Sequence, residues 1–587
     1  ETCKIKGEFS SLAAETIPCI ISILLTGVAL MGVVSCSDSS YDDKYTDPSK
    51  TTTVGVPQVF TAVLNQAREW TDLIYYRYYC QSTTSGLFSG VVGDNNNPGR
   101  FMGAGTGRYD DRWKSFYRVV TQYRLLEVNY NNLPEEEKPA NAVFYHLART
   151  VTYGQLHEIL SLFGDVPFNG AGTLWNTSDY DAAKAACVYE DDVELYKQIL
   201  NDLKETSDYL ANGVDAASTV SLQRQDYTVA AGDVAVWRKY VNSLRLRIAL
   251  HLSTNGDCTT EAHAAIAEIL NNPSQYPLID KNSENMGVEA DTQSDSFNYG
   301  KSLSQALRTG NYAAGSPTML RVMNVPENGI PDANTDPRIQ AMYDSNPDGE
   351  YVAYDINMSN AEISNLEEQK QQEYVKRGIT TANYYCEIDS QAVAGWDSYM
   401  GNENIMSLWI SAAEVSLSKA EAYLMGYGVA VDQNAAKENF INGVIQSTEY
   451  YWNMKETSSL YKEGNDSYRG YRTLVRPSDA EIQAYAESIW KPTQQAVCEQ
   501  LWLNFSFMNE LEAWNVTRRT GYPEVYFSRD NQVSSYPTPP HRLPYVNDEL
   551  TYNSQNCQEA ISKNYEESTG YYTPLFWAKR EYYKMIN

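Results

Sequence analysis

Residues 142–167 read AVFYHLARTVTYGQLHEILSLFGDVP. From His146 to Leu160, mostly apolar residues recur at the three- and four-residue spacing of one helical face. Gly164 and Pro167 follow this pattern, and glycine followed by proline is a typical helix end. The stretch therefore predicts an amphipathic helix over residues 142–162 that a turn then closes.

Similar helical patterns occur before and after a central region of different composition. Short connections between consecutive helices favour antiparallel hairpins, which are the unit of tetratricopeptide-type repeats. Because no clean repeat period is visible, we predict a degenerate repeat rather than a regular one. The other predicted helices cover residues 193–210, 233–252, 259–270, 404–425, 432–449 and 480–509.

The first fifty residues contain one long apolar run. It extends from Ile17 to Val34, with Lys4 and Lys6 upstream, which is the pattern of a secretory signal peptide. The run is too short for a membrane span and is followed by acidic rather than basic residues. It ends in VVSC at Cys36, and the polar sequence SDSSYDD comes next. An ordinary cleavage site with a chance cysteine is one reading, and a lipid-modified cysteine is the other.

The composition excludes some functions and suggests others. The formal net charge is −29, with 75 acidic and 46 basic residues, so nucleic acid is an unfavourable partner. The 46 tyrosines against 14 phenylalanines indicate many half-exposed rings, which suit stacking on sugars, although Tyr-rich exported proteins are also common. The six cysteines after Cys36 are widely spaced and predict buried thiols, with one or two disulfides left open: Cys80, Cys187, Cys258, Cys386, Cys498 and Cys557.

Five blocks of the sequence resemble, in order, the SusD/RagB family of outer-membrane lipoproteins. The resemblance is closest to the branch described as starch-binding proteins that associate with the outer membrane. Its most diagnostic elements are EAW and RRTGYP in the fourth block. The blocks are LHEILSLFGDVPF (156–168), GDVAVWRKYVNSLRLRIA (232–249), AAEVSLSKAEAYLM (412–425), QLWLNFSFMNELEAWNVTRRTGYP (500–523) and HRLPYVNDELTYNSQNCQEA (541–560).

The resemblance implies a fold, a place and a role. The fold class is mainly α and SusD-like, with a degenerate tetratricopeptide-type half and a loop-rich half. VVSC resembles a lipobox, so Cys36 is the expected lipidation site, and the acidic stretch after it resembles a surface-export signal. The expected division is a signal peptide (1–35), a lipidated tether (36–55), a helical repeat region (56–274), a loop-rich ligand-facing region (275–403) and a helical, turn-rich C-terminal region (404–587).

The implied function is carbohydrate binding without catalysis. The protein would capture oligosaccharide at the cell outer membrane and deliver it to a SusC-like TonB-dependent transporter, within polysaccharide utilisation. Peptide cargo in the same role is the alternative, and an exported glycoside hydrolase is a less favoured one. The Arg residues of the second block, Arg245 and Arg247, are expected to pair with carboxylates between helices.

Candidate ligand-binding residues come from two loop segments. The segment 81–112 carries aromatic and polar residues among many glycines, and the middle region carries further rings. Trp396 lies between glycine and aspartate in AVAGWDSYM, where a core anchor is not expected. The predicted contacts are Phe88, Asn95, Arg100, Phe101, Phe297, Tyr299, Trp396 and Tyr399.

Motifs for catalysis and cofactors are missing from the sequence. Five histidines, none in HExxH, offer little for a metal site, and neither GxSxG nor GxxxxGK[ST] occurs. We therefore expect no cofactor. Structural calcium stays possible at residues 94–97 and 332–336, although a polar turn is the favoured reading of both.

Overall fold

The computed structural model describes residues 54–72, 84–93, 109–293, 298–309, 314–380, 382–393, 401–462, 475–528 and 538–586. These residues are mainly helical, which confirms the predicted fold class. In the N-terminal part the helices are α1 Val56–Asp72, α2 Gly86–Phe88, α3 Tyr109–Asn131, α4 Lys138–Phe163, α5 Tyr180–Ala185, α6 Asp192–Ala211, α7 Ala216–Gln225, α8 Val234–His251 and α9 Thr259–Asn271.

The helix predicted over residues 142–162 is α4, and it is buried on nearly all sides. Its end agrees with the sequence: Gly164 adopts φ 74°, and its N–H donates to the Leu160 carbonyl at 2.9 Å. A left-handed residue favours glycine here. The C-terminal part of the chain closes over this turn, because the Leu543 N–H donates to the Leu162 carbonyl at 2.8 Å.

Neighbouring helices pack as hairpins, as expected for a degenerate repeat. Helices α3 and α4 pack on each other and on α1, while α8 packs on α6 and on α9. Arg245 and Arg247 of α8 point to different neighbours. Arg245 pairs with Glu268 of α9 at 2.7 Å, and Arg247 makes a bidentate pair with Glu414. The predicted pairing of these arginines is confirmed.

The middle and C-terminal parts add eleven helices among the described residues. They are α10 Tyr299–Thr309, α11 Pro317–Val322, α12 Ile339–Met342, α13 Asn360–Lys376, α14 Ala412–Met425, α15 Gln433–Glu456, α16 Asp479–Ser488, α17 Gln494–Phe505, α18 Glu510–Thr520, α19 Asn547–Tyr552 and α20 Ser554–Asn564. Helix α14 packs on α15 and α17, and α17 packs on α18.

The strands form three two-stranded ribbons rather than a sheet layer. Two ribbons are antiparallel and join Gly287 to Leu408 and Tyr343 to Ile388; the third is parallel and joins Val525 to Tyr583. The strands are β1 Met286–Val288, β2 Tyr343–Asp344, β3 Glu387–Ile388, β4 Ser407–Ile410, β5 Val525–Ser528 and β6 Tyr583–Ile586.

Two predicted helices were wrong in their extent. The helix expected over residues 404–425 begins only at Ala412, because residues 407–410 form β4 and pair with β1. The helix expected over residues 480–509 is divided into α16 and α17, and Pro492 lies between them. Proline lacks the N–H that a continuous helix needs.

Residues 55–587 form one compact unit. The boundaries expected after residues 274 and 403 stay predictions, and the expected signal peptide and Cys36 lie outside the described residues. No helix in the described part of the chain has the length and apolar character to cross a membrane. The five cysteines in that part are free thiols: Cys187, Cys258, Cys386, Cys498 and Cys557. All of them except Cys187 are buried.

Candidate functional site

The start of α10 is a meeting point for two parts of the predicted ligand-facing region. The Asn298 side chain donates to the Glu403 carbonyl at 2.8 Å, and its Oδ1 accepts from the Lys301 N–H at 2.9 Å. A Cβ on Gly300 would lie 1.8 Å from the Asn402 carbonyl oxygen, so only glycine permits this approach. The segment after residue 400 is therefore fixed against the first turn of α10.

Beside this meeting point lies a small cavity of about 60 Å³. Its walls come from α1, α4, α8, the first residue of α10, β4 and the start of α18. That volume is well below the ~300–1,000 Å³ of typical small-molecule sites, so the cavity has room for one group of a ligand and not for a whole ligand. The polar and aromatic side chains of its lining are Gln155, Glu158, Tyr240, Arg247, Trp409 and Asn509, together with Tyr299.

Two aromatic rings share one wall of the cavity. The ring centroids of Tyr240 and Trp409 are 5.5 Å apart, and the Trp409 ring also lies 6.4 Å from that of Trp237. Tyr240 is 4% exposed, and burial raises the pKa of its hydroxyl well above the usual range. The hydroxyl therefore stays protonated and can donate to a ligand.

Several donors of the lining have no hydrogen-bond partner among the described residues. The Gln155 amide oxygen accepts from Arg112 at 2.9 Å, which leaves its Nε2 unpaired. Asn509 Oδ1 accepts from the Glu512 N–H at 3.2 Å, which leaves its Nδ2 unpaired. The full set of unpaired donors is Gln155 Nε2, Tyr240 OH, Arg247 Nη1, Trp409 Nε1 and Asn509 Nδ2.

The charges at the cavity are balanced by pairs. Glu158 accepts from Arg112 at 2.9 Å, and Arg247 pairs with Glu414. Burial raises the pKa of Glu414, although Arg247 opposes that effect. Arg247 also donates to the Trp409 carbonyl at 2.6 Å and so connects α8, α14 and β4. These pairs fix the wall of the cavity and leave it without net charge.

The structure places two of the predicted ligand-binding residues. Tyr299 lines the cavity, but it is 3% exposed and its hydroxyl donates to the Met508 carbonyl at 2.9 Å. Phe88 is fully buried, with its ring 5.4 Å from that of Trp514. The expectation that the Phe88 ring stands outside the core is wrong, because α2 packs on α18. The remaining predicted contacts lie outside the described residues: Asn95, Arg100, Phe101, Phe297, Trp396 and Tyr399.

Sequence reasoning missed the residues that dominate the cavity. Tyr240 occupies a variable position inside the second family-like block, and Trp409 lies in β4, within the stretch that the sequence predicts as helix. A signal was nevertheless present in Gly154, an isolated glycine in the middle of α4. A Cβ there would lie 3.4 Å from the Tyr240 hydroxyl, so the glycine leaves space beside it.

The segment 332–336, for which the sequence favours a polar turn over calcium binding, is a polar turn. Asp332 accepts from the Asn334 N–H at 2.8 Å, and Asp336 is committed to a fully buried pair with Arg338 at 2.6 Å. The segment 94–97 lies outside the described residues. Another acidic group consists of Asp165, Asp191 and Asp192. The Lys563 amine lies 2.9 Å from the Asp165 carboxylate and 3.0 Å from the Asp191 carboxylate.

The fold is a mainly helical repeat scaffold with a small aromatic cavity between its helices. The sequence profile of the SusD-like family described as "Starch-binding associating with outer membrane" matches residues 83–546. The chain therefore belongs to the SusD-like family. This membership supports a carbohydrate-binding role in association with the outer membrane.

Solved structures share the fold at low sequence identity. A protein named as chitin-binding has 19% identity and a TM-score of 0.64, with 88% of this chain and 99% of that one covered. A chitin-binding SusD homologue from Flavobacterium johnsoniae has 17% identity and a TM-score of 0.59, with 88% and 98% covered. A SusD homologue from Bacteroides fragilis has 16% identity and a TM-score of 0.61, with 90% and 100% covered. No curated protein matches the sequence.

Proposed function

We propose that this protein captures oligosaccharide at the cell surface and passes it to a SusC-like TonB-dependent transporter, without catalysis. The observation that carries the proposal is the match of residues 83–546 to the SusD-like family. The small cavity beside Tyr240 and Trp409 adds aromatic rings and hydrogen-bond donors for one group of the ligand. A sugar presents an apolar face for stacking and hydroxyl groups around its edge, so it needs both kinds of contact.

The contacts imply modest affinity. Each ring contact contributes ~0.5–1.5 kcal/mol beyond burial, and each hydrogen bond about the same net amount. After the cost of association, such a site suits micromolar to millimolar dissociation constants. This range fits a protein that must release its cargo to a transporter.

The outer part of the proposed site consists of loop residues predicted from the sequence. Trp396, Tyr399 and Phe297 belong to segments whose described flanks meet at the start of α10, next to the cavity. Asn95, Arg100 and Phe101 follow Gly93, whose N–H donates to the Ala314 carbonyl at 3.2 Å. Ala314 follows the C-terminal end of α10, about 16 Å of helix from its start, so we propose that this segment contacts a different part of an extended ligand.

Replacing Trp396 or Trp409 by alanine is expected to weaken oligosaccharide binding at least about ten-fold, which corresponds to ~1.4 kcal/mol. The cause is loss of a stacking ring. Isothermal titration calorimetry with starch-derived and chitin-derived oligosaccharides measures the effect. These probes follow from the family description and from the names of the similar structures.

The matched control is Trp175→Ala, since this ring is 45% exposed and does not line the cavity. Unchanged affinity in Trp396→Ala would reject the loop assignment, and unchanged affinity in Trp409→Ala would reject the cavity. Turnover of a probe, abolished by one carboxylate substitution, would instead favour a hydrolase.

Peptide cargo is the second candidate, and the donor-rich lining of the cavity favours it. Peptide carbonyl groups would accept from the same side chains that we assign to sugar. Binding of mixed short peptides in the same calorimetric assay, with no response to oligosaccharide, would show that the cargo is peptide rather than sugar. The proposed role in transport would be unchanged.

Membrane attachment at Cys36 is expected to depend on that side chain alone. Two acyl chains give stable anchoring because each buried CH₂ contributes ~0.8 kcal/mol, whereas one chain binds marginally. Metabolic labelling with a palmitate analogue should mark the wild type and not Cys36→Ser. Equal labelling of both proteins would refute the anchor, and Cys557→Ser serves as the matched control.

A further inference from the structure

We propose that a second cavity binds the C-terminal residue of a peptide that ends in a large apolar side chain. The inference rests on the proposed function through its second candidate, peptide cargo, and assigns a site to that cargo. The second cavity has a volume of about 280 Å³, just below the ~300–1,000 Å³ of typical small-molecule sites. It therefore has room for one large side chain and the backbone atoms beside it.

The floor of the second cavity is apolar. Four of its side chains are at most 5% exposed and come from α2, the turn after it and β5: Leu87, Val92, Val525 and Phe527. Half-buried apolar carbon surrounds them, from Pro317, Ile356 and Ile586. Large apolar side chains gain free energy when they leave water for such surroundings. The floor therefore favours an aliphatic or aromatic side chain over a polar one.

A buried hydroxyl stands at the edge of this floor. Thr318 of α11 lines the second cavity and is 6% exposed, yet its hydroxyl makes no hydrogen bond to any described residue. A Cβ on Gly90 would lie 3.2 Å from that hydroxyl and 2.8 Å from the Val525 side chain, so the polar group borders the apolar floor. The hydroxyl is free to donate to a ligand.

The same face of α11 carries a cation. Arg321 lies three residues after Thr318, which makes the two side chains neighbours on the helix. Its Nη2 donates to the Glu524 carbonyl, and its Nε and Nη1 have no partner in the described part of the chain. The Glu524 carboxylate accepts from the Tyr526 hydroxyl at 2.7 Å instead of pairing with the arginine. The free donors of Arg321 and Thr318 can bind one carboxylate.

An acceptor on the rim favours a peptide over a fatty acid. Asn357 lines the second cavity, and its Nδ2 donates to Asp355 at 2.9 Å, which leaves its Oδ1 unpaired as far as the structure describes the chain. A peptide offers this oxygen the N–H of its last residue, whereas a fatty acid has no donor. The lining thus matches the side chain, the carboxylate and the N–H of one terminal residue.

The test is isothermal titration calorimetry of the purified protein with three peptides: acetyl-Gly-Gly-Phe as the free acid, its C-terminal amide, and acetyl-Gly-Gly-Ser as the free acid. The amide keeps the ring and removes the charge. It should bind about five-fold more weakly, because water partly screens the exposed Arg321. The serine peptide keeps the carboxylate and loses the apolar side chain, so it should bind at least about ten-fold more weakly.

Two variants assign the effects to side chains. Arg321→Gln should bring the affinities for the acid and the amide together. Thr318→Val should weaken binding of the acid about three-fold and leave the melting temperature unchanged, because the lost hydroxyl has no protein partner. The matched control is Arg224→Gln, since Arg224 is an exposed arginine of α7 that also has no ion pair with a described residue and lies outside the second cavity. It should keep the five-fold preference.

The outcomes separate this inference from the proposed function. Equal affinity for acid and amide, or a preference that survives Arg321→Gln, overturns the carboxylate site, and equal affinity for the two acids overturns the apolar floor. Octanoate that binds as tightly as acetyl-Gly-Gly-Phe and depends on Arg321 overturns the peptide in favour of a fatty acid. If oligosaccharides bind and the peptides do not, the inference fails and the proposed function stands. If none of them binds, both fail.

Discussion

Replacing Arg519 by methionine is expected to lower the free energy of unfolding by about 3–5 kcal/mol. Arg519 lies in the last turn of α18 and makes two hydrogen bonds to the Glu421 carboxylate of α14, at 2.6 and 2.7 Å. The side chains are 2% and 0% exposed, respectively. Without the guanidinium, Glu421 keeps the Gln494 amide at 3.1 Å but has no cation to balance it, and its charge stays buried. Urea denaturation measures the loss.

Two further variants test the cause. Arg519→Met combined with Glu421→Met removes both charges and should recover most of the loss, because the uncompensated carboxylate is gone. Arg580 and Glu566 form an equally short bidentate pair at 2.7 and 2.8 Å, but their side chains are 67% and 55% exposed. Arg580→Met should therefore leave the free energy of unfolding nearly unchanged. Equal losses at the two sites would contradict the argument from burial.

Acidification is expected to destabilise the protein between pH 4.5 and pH 2 through Glu512. Burial would raise the pKa of this carboxyl, but His157 at 3.1 Å, Arg247 and Asn515 outweigh it and bring the pKa to about 2. A carboxyl with a lowered pKa stabilises the fold above its ordinary pKa and loses that contribution as pH falls. At ~1.4 kcal/mol per pKa unit, the contribution is about 3 kcal/mol.

The measurement is the unfolding free energy of wild type and Glu512→Gln at a series of pH values from 5 to 2. The variant should be less stable at pH 5 and should lose less stability across this window. Glu487→Gln, at an exposed position of α16, should follow the wild-type curve. Parallel curves for wild type and Glu512→Gln would show that this carboxyl does not carry the effect.

Local signals in the sequence were enough for most of the helical scaffold. The apolar spacing and the Gly164 stop located α4, and the alternating arginines of α8 correctly indicated carboxylates on neighbouring helices. Errors arose where a partner distant in sequence decided the outcome. Strand β4 exists because β1 pairs with it, and no window around residue 408 contains that information. Pro492 is a signal in the sequence for the break between α16 and α17, although the predicted helix over residues 480–509 runs through it.

The cavity could be predicted from the sequence less well than the helices, because it depends on tertiary structure. Gln155, Tyr240, Trp409 and Asn509 come from α4, α8, β4 and the start of α18, so their proximity is a result of packing. Tyr299 was selected as a ligand contact for its place in a loop-rich region, yet it is a buried residue of the cavity wall. Phe88 was selected on the same basis and belongs to the core.

The sequence by itself determined the family and the helical class. The spacing of apolar residues within each helix indicates the class, and the five ordered blocks indicate the family. Which side chains keep unpaired donors was decided only by the tertiary structure. Hydrogen-bond satisfaction depends on every neighbour that surrounds a group, and those neighbours come from parts of the chain hundreds of residues apart. Tyr240 beside Trp409 is the clearest case here.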